Sequence, residues 1–200
     1  SRKETFMNKR LTQEEKDLIG ELGNITFGTA STALSLNLNH SVDISAPSVT
    51  CLSRDEFISK LPNQMILIDV KYTKGIEGNN ILLLKDSDAL IIADLMMGGI
   101  GSDEGEISEF HLSAVQEVMN QMMGNSSTSL SSFLNQEIDI SPPVIETISK
   151  TNLERLTQVF TDEELIVVSF ALKIGNLINS EIMHITNFDF VDEMSKKFLI

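Results

Sequence analysis

With 42% apolar and 22% charged residues, the 200-residue chain has ordinary globular usage, enough for one domain with a sizeable core or two very small ones; disorder and low-complexity architectures are excluded. Fifteen basic against 29 acidic residues give a net charge of -14, and no basic cluster follows Lys3, Lys9 and Arg10, which argues against a nucleic-acid or anionic-membrane footprint. The lone Cys51 excludes an internal disulfide and a thiolate metal cluster and fits a reducing compartment, while the longest apolar runs, such as Ala89 to Met97 around Asp94, fall far short of the roughly 20 residues of a membrane span.

In chain order, the first signal is Thr12 with Glu15 three residues on, a capping box that starts a long helix. Val42 to Val49 is short and apolar-rich, and Met65 to Tyr72 reads as a strand by β-branched and aromatic content. Gly75 and Gly78 supply a turn into a third strand, Ile81 to Leu84, and a helix from about Ser87 to Met97 ends at Gly98 and Gly99. Ile100 to Ile107, short and acidic with GSDEGE at its centre, is a connection. The order then repeats: Ser108 caps a second long helix without the reciprocal Glu, Ile138 to Ile145 and Leu165 to Ile174 read as strands, Gly175 turns the chain, and Glu181 to Ile185 and a helix of about Phe188 to Phe198 close it. No signal peptide is seen, and the cut appearance of the ends at Ser1 and at Phe198-Leu199-Ile200 suggests a domain excised from a longer protein.

The recurrence is literal. Asn24 to Pro47 set against Asn120 to Pro143, at a constant offset of 96 and without a gap, is identical at about half its positions, among them Gly28/Gly124, Ser31/Ser127, Leu34/Leu130, Asn39/Asn135 and Asp43/Asp139. Each half reads helix, three strands, helix. Three strands leave edges that need cover, so the halves are expected to merge into one mostly antiparallel sheet of an α/β (α+β) fold with pseudo-twofold symmetry and the long helices packed on it. The chain is then a single domain of repeat 1 (about 10–99) and repeat 2 (about 106–200), with two independent domains as the alternative.

On the first long helix Asp17, Glu21, Asn24 and Gly28 fall at i, i+4, i+7 and i+11, one line along the cylinder, with Leu18, Leu22 and Ile25 to the side that buries. Ser113, Glu117, Asn120 and Gly124 repeat the line, beside Leu112, Val115 and Met119. A carboxylate can clamp a cation, and an amide both donates and accepts and can hold a water by two contacts. No His, Lys or Cys in the line could activate a nucleophile, so positioning a water for attack is the natural role of the amide. Gly28 and Gly124 leave room beside it for another backbone. A single E-x-x-N on a helix is usually solvated surface; its duplication in fixed surroundings points to function.

The full pattern, D/S-x3-E-x2-N with a proline after 22 intervening residues, occurs twice, as Asp17, Glu21, Asn24, Pro47 and as Ser113, Glu117, Asn120, Pro143. It resembles the signature of the CheC-type phosphatase family, the group of CheC, CheX and FliY, over almost the whole chain. The stretches GNITFGTASTALS, ADLMMGG, NQMMGNSSTSLS and IGNLINSEIM look like the flagellar motor switch branch of that group, and two intact pairs argue against the CheX branch. The resemblance implies a hydrolase acting on the aspartyl phosphate of a CheY-type response regulator in chemotaxis. Asn24 and Asn120 would orient water, Glu21 and Glu117 would pair with the regulator's lysine, and Asp17, Ser113, Pro47 and Pro143 would support the two sites. It further implies that this chain binds no cofactor, that Mg²⁺ belongs to the regulator, and that the partners are the phosphorylated regulator and other flagellar switch proteins, in the cytoplasm at the motor face. In that branch a regulator-binding segment precedes the domain and a switch domain follows it. The rival readings are a non-enzymatic switch scaffold and a free-standing CheC-like phosphatase.

The remaining features read as structural. His40, His111 and His184 lack partners at metal-ligand spacing; Met96, Met97, Met119, Met122 and Met123 suit core filling; Ser126 to Ser129 suit helix packing; Cys51 suits a small apolar site; and Gly75 to Gly78 is too short for a phosphate loop.

Overall fold

The computed structural model describes residues 11–45, 47–77 and 79–199. The capping box forms as the sequence demands: Thr12 Oγ1 accepts from the Glu15 amide at 3.1 Å, the Glu15 carboxylate accepts from the Thr12 amide at 3.0 Å, and α1 runs Gln13–Leu38. The chain continues through β1 (Val42–Ile44), β2 (Ser48–Ser53), α2 (Arg54–Lys60), β3 (Gln64–Lys74), β4 (Asn79–Lys85) and α3 (Asp86–Met96). The second half answers with α4 (Glu109–Leu134), β5 (Asp139–Ile140), β6 (Val144–Ser149), α5 (Leu153–Val159), β7 (Glu164–Ile174), β8 (Ile178–Thr186) and α6 (Phe188–Phe198). Both long helices end on an asparagine with φ +52°, Asn39 and Asn135, a left-handed position that an asparagine tolerates.

Three expectations need correction. The segments expected as single strands, Val42 to Val49 and Ile138 to Ile145, each break in two, around Pro47 and around Pro142-Pro143, because proline cannot donate to a ladder. Each half therefore carries four strands, not three, and a short helix besides. The second half also closes a capping box: His111 Nδ1 takes the place of the missing carboxylate and accepts from the Ser108 amide at 3.0 Å. Gly75 and Gly175 turn the chain at positive φ and Gly98 follows α3 at φ +81°; Gly78, Lys3, Lys9, Arg10 and Ile200 lie outside the described residues.

All eight strands form one antiparallel sheet in the order β1-β7-β8-β4-β3-β5, with β2 continuing β1 along β7 and β6 continuing β5 along β3. The halves thus exchange strands: the first repeat's β1 and β2 pair with the second repeat's β7, and β5 and β6 with β3. The hairpins β3–β4 and β7–β8 meet at the centre, where Leu82 faces His184. By the offset of 102 that relates α3 to α6, these two residues are equivalents, so the pseudo-twofold axis passes between them.

The long strands are buried on both faces, which is why Met65 to Ile68 reads as a continuous apolar run and does not alternate. Ile66, Ile68, Leu82, Leu84, Val168 and Phe170 face α1, α3, α4 and α6; Met65, Leu67, Leu83, Leu165, Val167 and Ile185 face α2 and α5. Each such side chain contributes about 1.5–3 kcal/mol by leaving water. The connection after α3 is anchored by Asp94, which accepts from the Gly101 and Ser102 amides at 2.8 Å each; those two donors hold its carboxyl below the usual range.

Candidate active site

The long helices pack against each other as well as on the sheet, and small residues let them approach. Ser126, fully buried, donates to the Thr26 carbonyl across the contact, and Thr29 Oγ1 meets Ser129 Oγ at 2.9 Å. The serine-rich run is therefore helix packing, as its composition suggests. Ser35 accepts from the Val42 amide at the start of β1 and the equivalent Ser131 from the Ile138 amide just before β5, at 3.0 Å each, so each helix is joined to the chain entering its strand in the same way.

With Leu18, Leu22 and Phe27 buried in one helix and Val115, Met119 and Met122 in the other, the opposite faces turn to solvent. Asp17, Glu21, Asn24 and Gly28 are exposed on α1; Ser113, Glu117 and Asn120 are exposed on α4, with Gly124 half-buried. Each E-x-x-N pair sits on one helix, and the two helices are in contact. Among the described residues, the side-chain amides of Asn24 and Asn120 make no internal hydrogen bond and remain available to a bound molecule. A Cβ placed on Gly28 or Gly124 would meet nothing within 4 Å, so the space beside each amide is open.

The prolines support their helices by different means. Pro47, half-buried, lies against Gly20 and Gly23, its Cγ 3.9 and 3.6 Å from the positions their Cβ atoms would take. Pro143 is buried, and its carbonyl accepts from Gln116, the equivalent of Gly20, at 2.8 Å. Asp17 accepts from Gln13 at 2.8 Å. The carboxylates differ more. Glu117 accepts from Gln121 Nε2 at 2.9 Å, and Gln121 Oε1 in turn accepts from Asn37 Nδ2 of α1. At the equivalent positions around the first site stand Ile25 of α1 and Phe133 of α4, and among the described residues the Glu21 carboxylate has no such support. Two positions beside the second site carry exposed apolar side chains where the first half is polar: Phe110, two turns before Glu117, is 64% exposed and Val144, next to Pro143, is 66% exposed, against Glu14 and Ser48.

Gln121, Asn37 and Gln116 were not singled out by the spacing of the motif. An amide four residues after each motif glutamate would have been the signal, but it occurs in one half only. The three histidines take structural places: His40 Nδ1 contacts the Leu38 carbonyl at 2.8 Å, His111 caps α4, and His184 is half-buried at the sheet centre, where desolvation lowers its pKa to about 4. Met119, Met122 and Met123 fill the core, Met96 packs against it, Met97 is exposed, and Cys51 packs at the core's edge. Among the described residues no three His, Cys, Asp or Glu side chains gather as metal ligands would, and no helix is long and apolar enough to cross a membrane.

The family model described as the CheC-like family matches twice, over residues 14–50 and 110–146, the stretches that carry the two lines. The flagellar motor switch phosphatase FliY of Bacillus subtilis is 46% identical over 185 residues, 92% of this chain and 49% of its own length. The chain spans about half the length of the curated relatives it matches. Among solved structures, the crystal structure of Thermotoga maritima FliY is 38% identical, with a TM-score of 0.85 over 96% of this chain and 98% of that one. A chain of the FliG–FliM complex from H. pylori shares the fold alone, at 19% identity and a TM-score of 0.75 over 93% of this chain and 100% of that one. The duplicated motif, the shared sheet and the similarity to T. maritima FliY over nearly its full length agree: this chain belongs to the CheC-like family, on its FliY side.

Proposed function

We propose that this chain is a hydrolase of the flagellar motor switch that removes phosphate from the aspartyl phosphate of a CheY-type response regulator. The observation that carries this reading is the pair of solvent-facing E-x-x-N lines whose amides are not spent inside the protein. A water held by Asn24 or Asn120 attacks the phosphorus in line; the bond from phosphorus to the aspartyl oxygen breaks, inorganic phosphate leaves and the regulator's carboxylate is restored. Glu21 and Glu117 pair with the regulator's lysine and set the angle at which the partner docks, while Asp17, Ser113, Pro47, Pro143, Gly28 and Gly124 shape the surroundings. The Mg²⁺ this chemistry uses is the regulator's own. Catalysis of this kind is positioning and electrostatics, which suits a site with no nucleophile.

The same reading takes the chain as one domain of two repeats, about 10–99 and about 106–200, supported by the strand exchange between them. It also gives other flagellar switch proteins as partners and the cytoplasmic face of the motor as location, on the strength of the FliY relationship. The test is phosphate release from a phosphorylated regulator. Asn24→Ala and Asn120→Ala are each expected to keep part of the activity, and the double variant to lose about 100-fold or more. Full activity in the double variant overturns the assignment. A non-enzymatic scaffold would show no release in any variant.

A further inference from the structure

We propose that Gln121 and Asn37 are positioning residues for Glu117, so that the second site is completed by a residue of the first repeat, while the first site has no counterpart of this support. The inference rests on the function proposed above and deepens it. Asn37 stands near the C-terminal end of α1 and donates to Gln121 Oε1 in the middle of α4; Gln121 spends its own Nε2 on Glu117 Oε1 at 2.9 Å. The order of donors fixes the amide. With its oxygen occupied by Asn37, Gln121 must present Nε2 to the carboxylate, and a carboxylate so held keeps one oxygen aimed and the other free for a cation. An exposed glutamate otherwise samples many rotamers and loses that freedom on binding. Around the first site, Ile25 of α1 and Phe133 of α4 stand where Gln121 and Asn37 stand around the second, and neither can donate to Glu21. The support crosses from one helix to the other, so it is a property of the duplicated chain and not of the motif.

Two measurements test this separately from the proposed chemistry. In side-chain amide NMR spectra, Asn37→Ala is expected to move the Gln121 Nε2 protons and leave those of Gln13 in place; unmoved Gln121 signals overturn the relay whatever the protein hydrolyses. In phosphate release, Gln121→Ile, which installs the first half's residue, is made in an Asn24→Ala background where only the second site works. KM for the phosphorylated regulator is expected to rise about three- to tenfold with kcat nearly unchanged, because Asn120 is untouched. In an Asn120→Ala background, where the second site is already silent, the same change adds no further loss. An equal loss in both backgrounds marks a merely structural role and overturns the proposal, as does an unchanged KM in the first. Should Asn24→Ala release no phosphate at all, affinity for the beryllofluoride-activated regulator is the readout: Gln121→Ile weakens binding by the same factor, and unchanged binding overturns the proposal. Retained activity in the Asn24→Ala, Asn120→Ala double variant condemns the function proposed above and leaves the NMR result standing.

Discussion

The two halves of the sheet solve the same packing problem with opposite residues. In the first, α1 offers Gly23 and the strand beneath offers Phe170, whose Cζ lies 2.8 Å from where a Cβ on Gly23 would stand. In the second, the equivalent helix position is Met119 and the equivalent strand position is Val70, both buried. Small on helix and large on strand has become large on helix and small on strand, and the combined volume is roughly kept. What a duplicated core must preserve is the space filled between layers, not the residue that fills it. The surface lines behave the other way: Glu and Asn recur at the same places, while the groups around them, Ile25 against Gln121 and Glu14 against Phe110, diverge. Packing tolerates exchange, and the outward chemistry does not.

The largest expected effect comes from breaking the volume exchange. Gly23→Met is expected to cost about 3 kcal/mol, the upper end of overpacking, because Phe170 is pinned by Phe27 at a ring-centroid distance of 4.5 Å. Adding Phe170→Val, which copies the second half's pair, should return at least about 1 kcal/mol in denaturant melts; additive losses would show that the halves do not share one packing rule.

A second effect lies on the symmetry axis, where Leu82 faces His184. Burial lowers the His184 pKa to about 4, so below pH 6.5 the unfolded chain takes a proton that the folded chain refuses. Stability is therefore lost as pH falls from about 6.5 to about 4 and changes no further from this group below that. His184→Leu, which makes the axis symmetric, should remove this slope and raise stability at pH 4.5 relative to pH 7 by about 2 kcal/mol against the parent. Parallel pH profiles for the two proteins would refute it.

The smallest expected effect concerns the helix starts. Thr12→Ala should cost about 1 kcal/mol and His111→Ala about 0.5 kcal/mol, read as shifts of the urea midpoint; a silent His111→Ala would mean that only the first helix has a working box.

Much of this was legible in the sequence, for local reasons. The offset of 96, the capping residue Thr12, the apolar sides of the long helices, α6 from Phe188 and the stretches around β3 and β7 all depend on neighbours within a few residues. The short helices α2 and α5 were not read, although Ser53 with Glu56 is a start signal that the structure uses, at 3.2 Å. Seven residues are too few for periodicity to show, and it is the second buried face of the strands that holds them there. His111 as a cap was missed because imidazole is rare in that position. The exchange of β2 and β6, and the relay from Asn37 to Glu117, join residues far apart in sequence, and no local pattern records them. Both E-x-x-N lines were readable because a helix converts spacing into direction; the support beneath Glu117 was not, because it comes from the other helix.

The exchange of strands has a consequence for how such a chain is assembled. A repeat that lends β1 and β2 to its neighbour and receives β5 and β6 in return is arranged as one subunit of a strand-exchanged homodimer is, with both copies in a single polypeptide. Residues 97–108 then act as a tether that sets local concentration, and the interface it joins is the sheet itself. Either repeat alone would present the full length of its long strand as a bare edge, ready to pair with the next copy it met. The covalent link makes the correct partner the nearest one, and it frees each copy to change, which is how one site could gain a relay that the other never acquired.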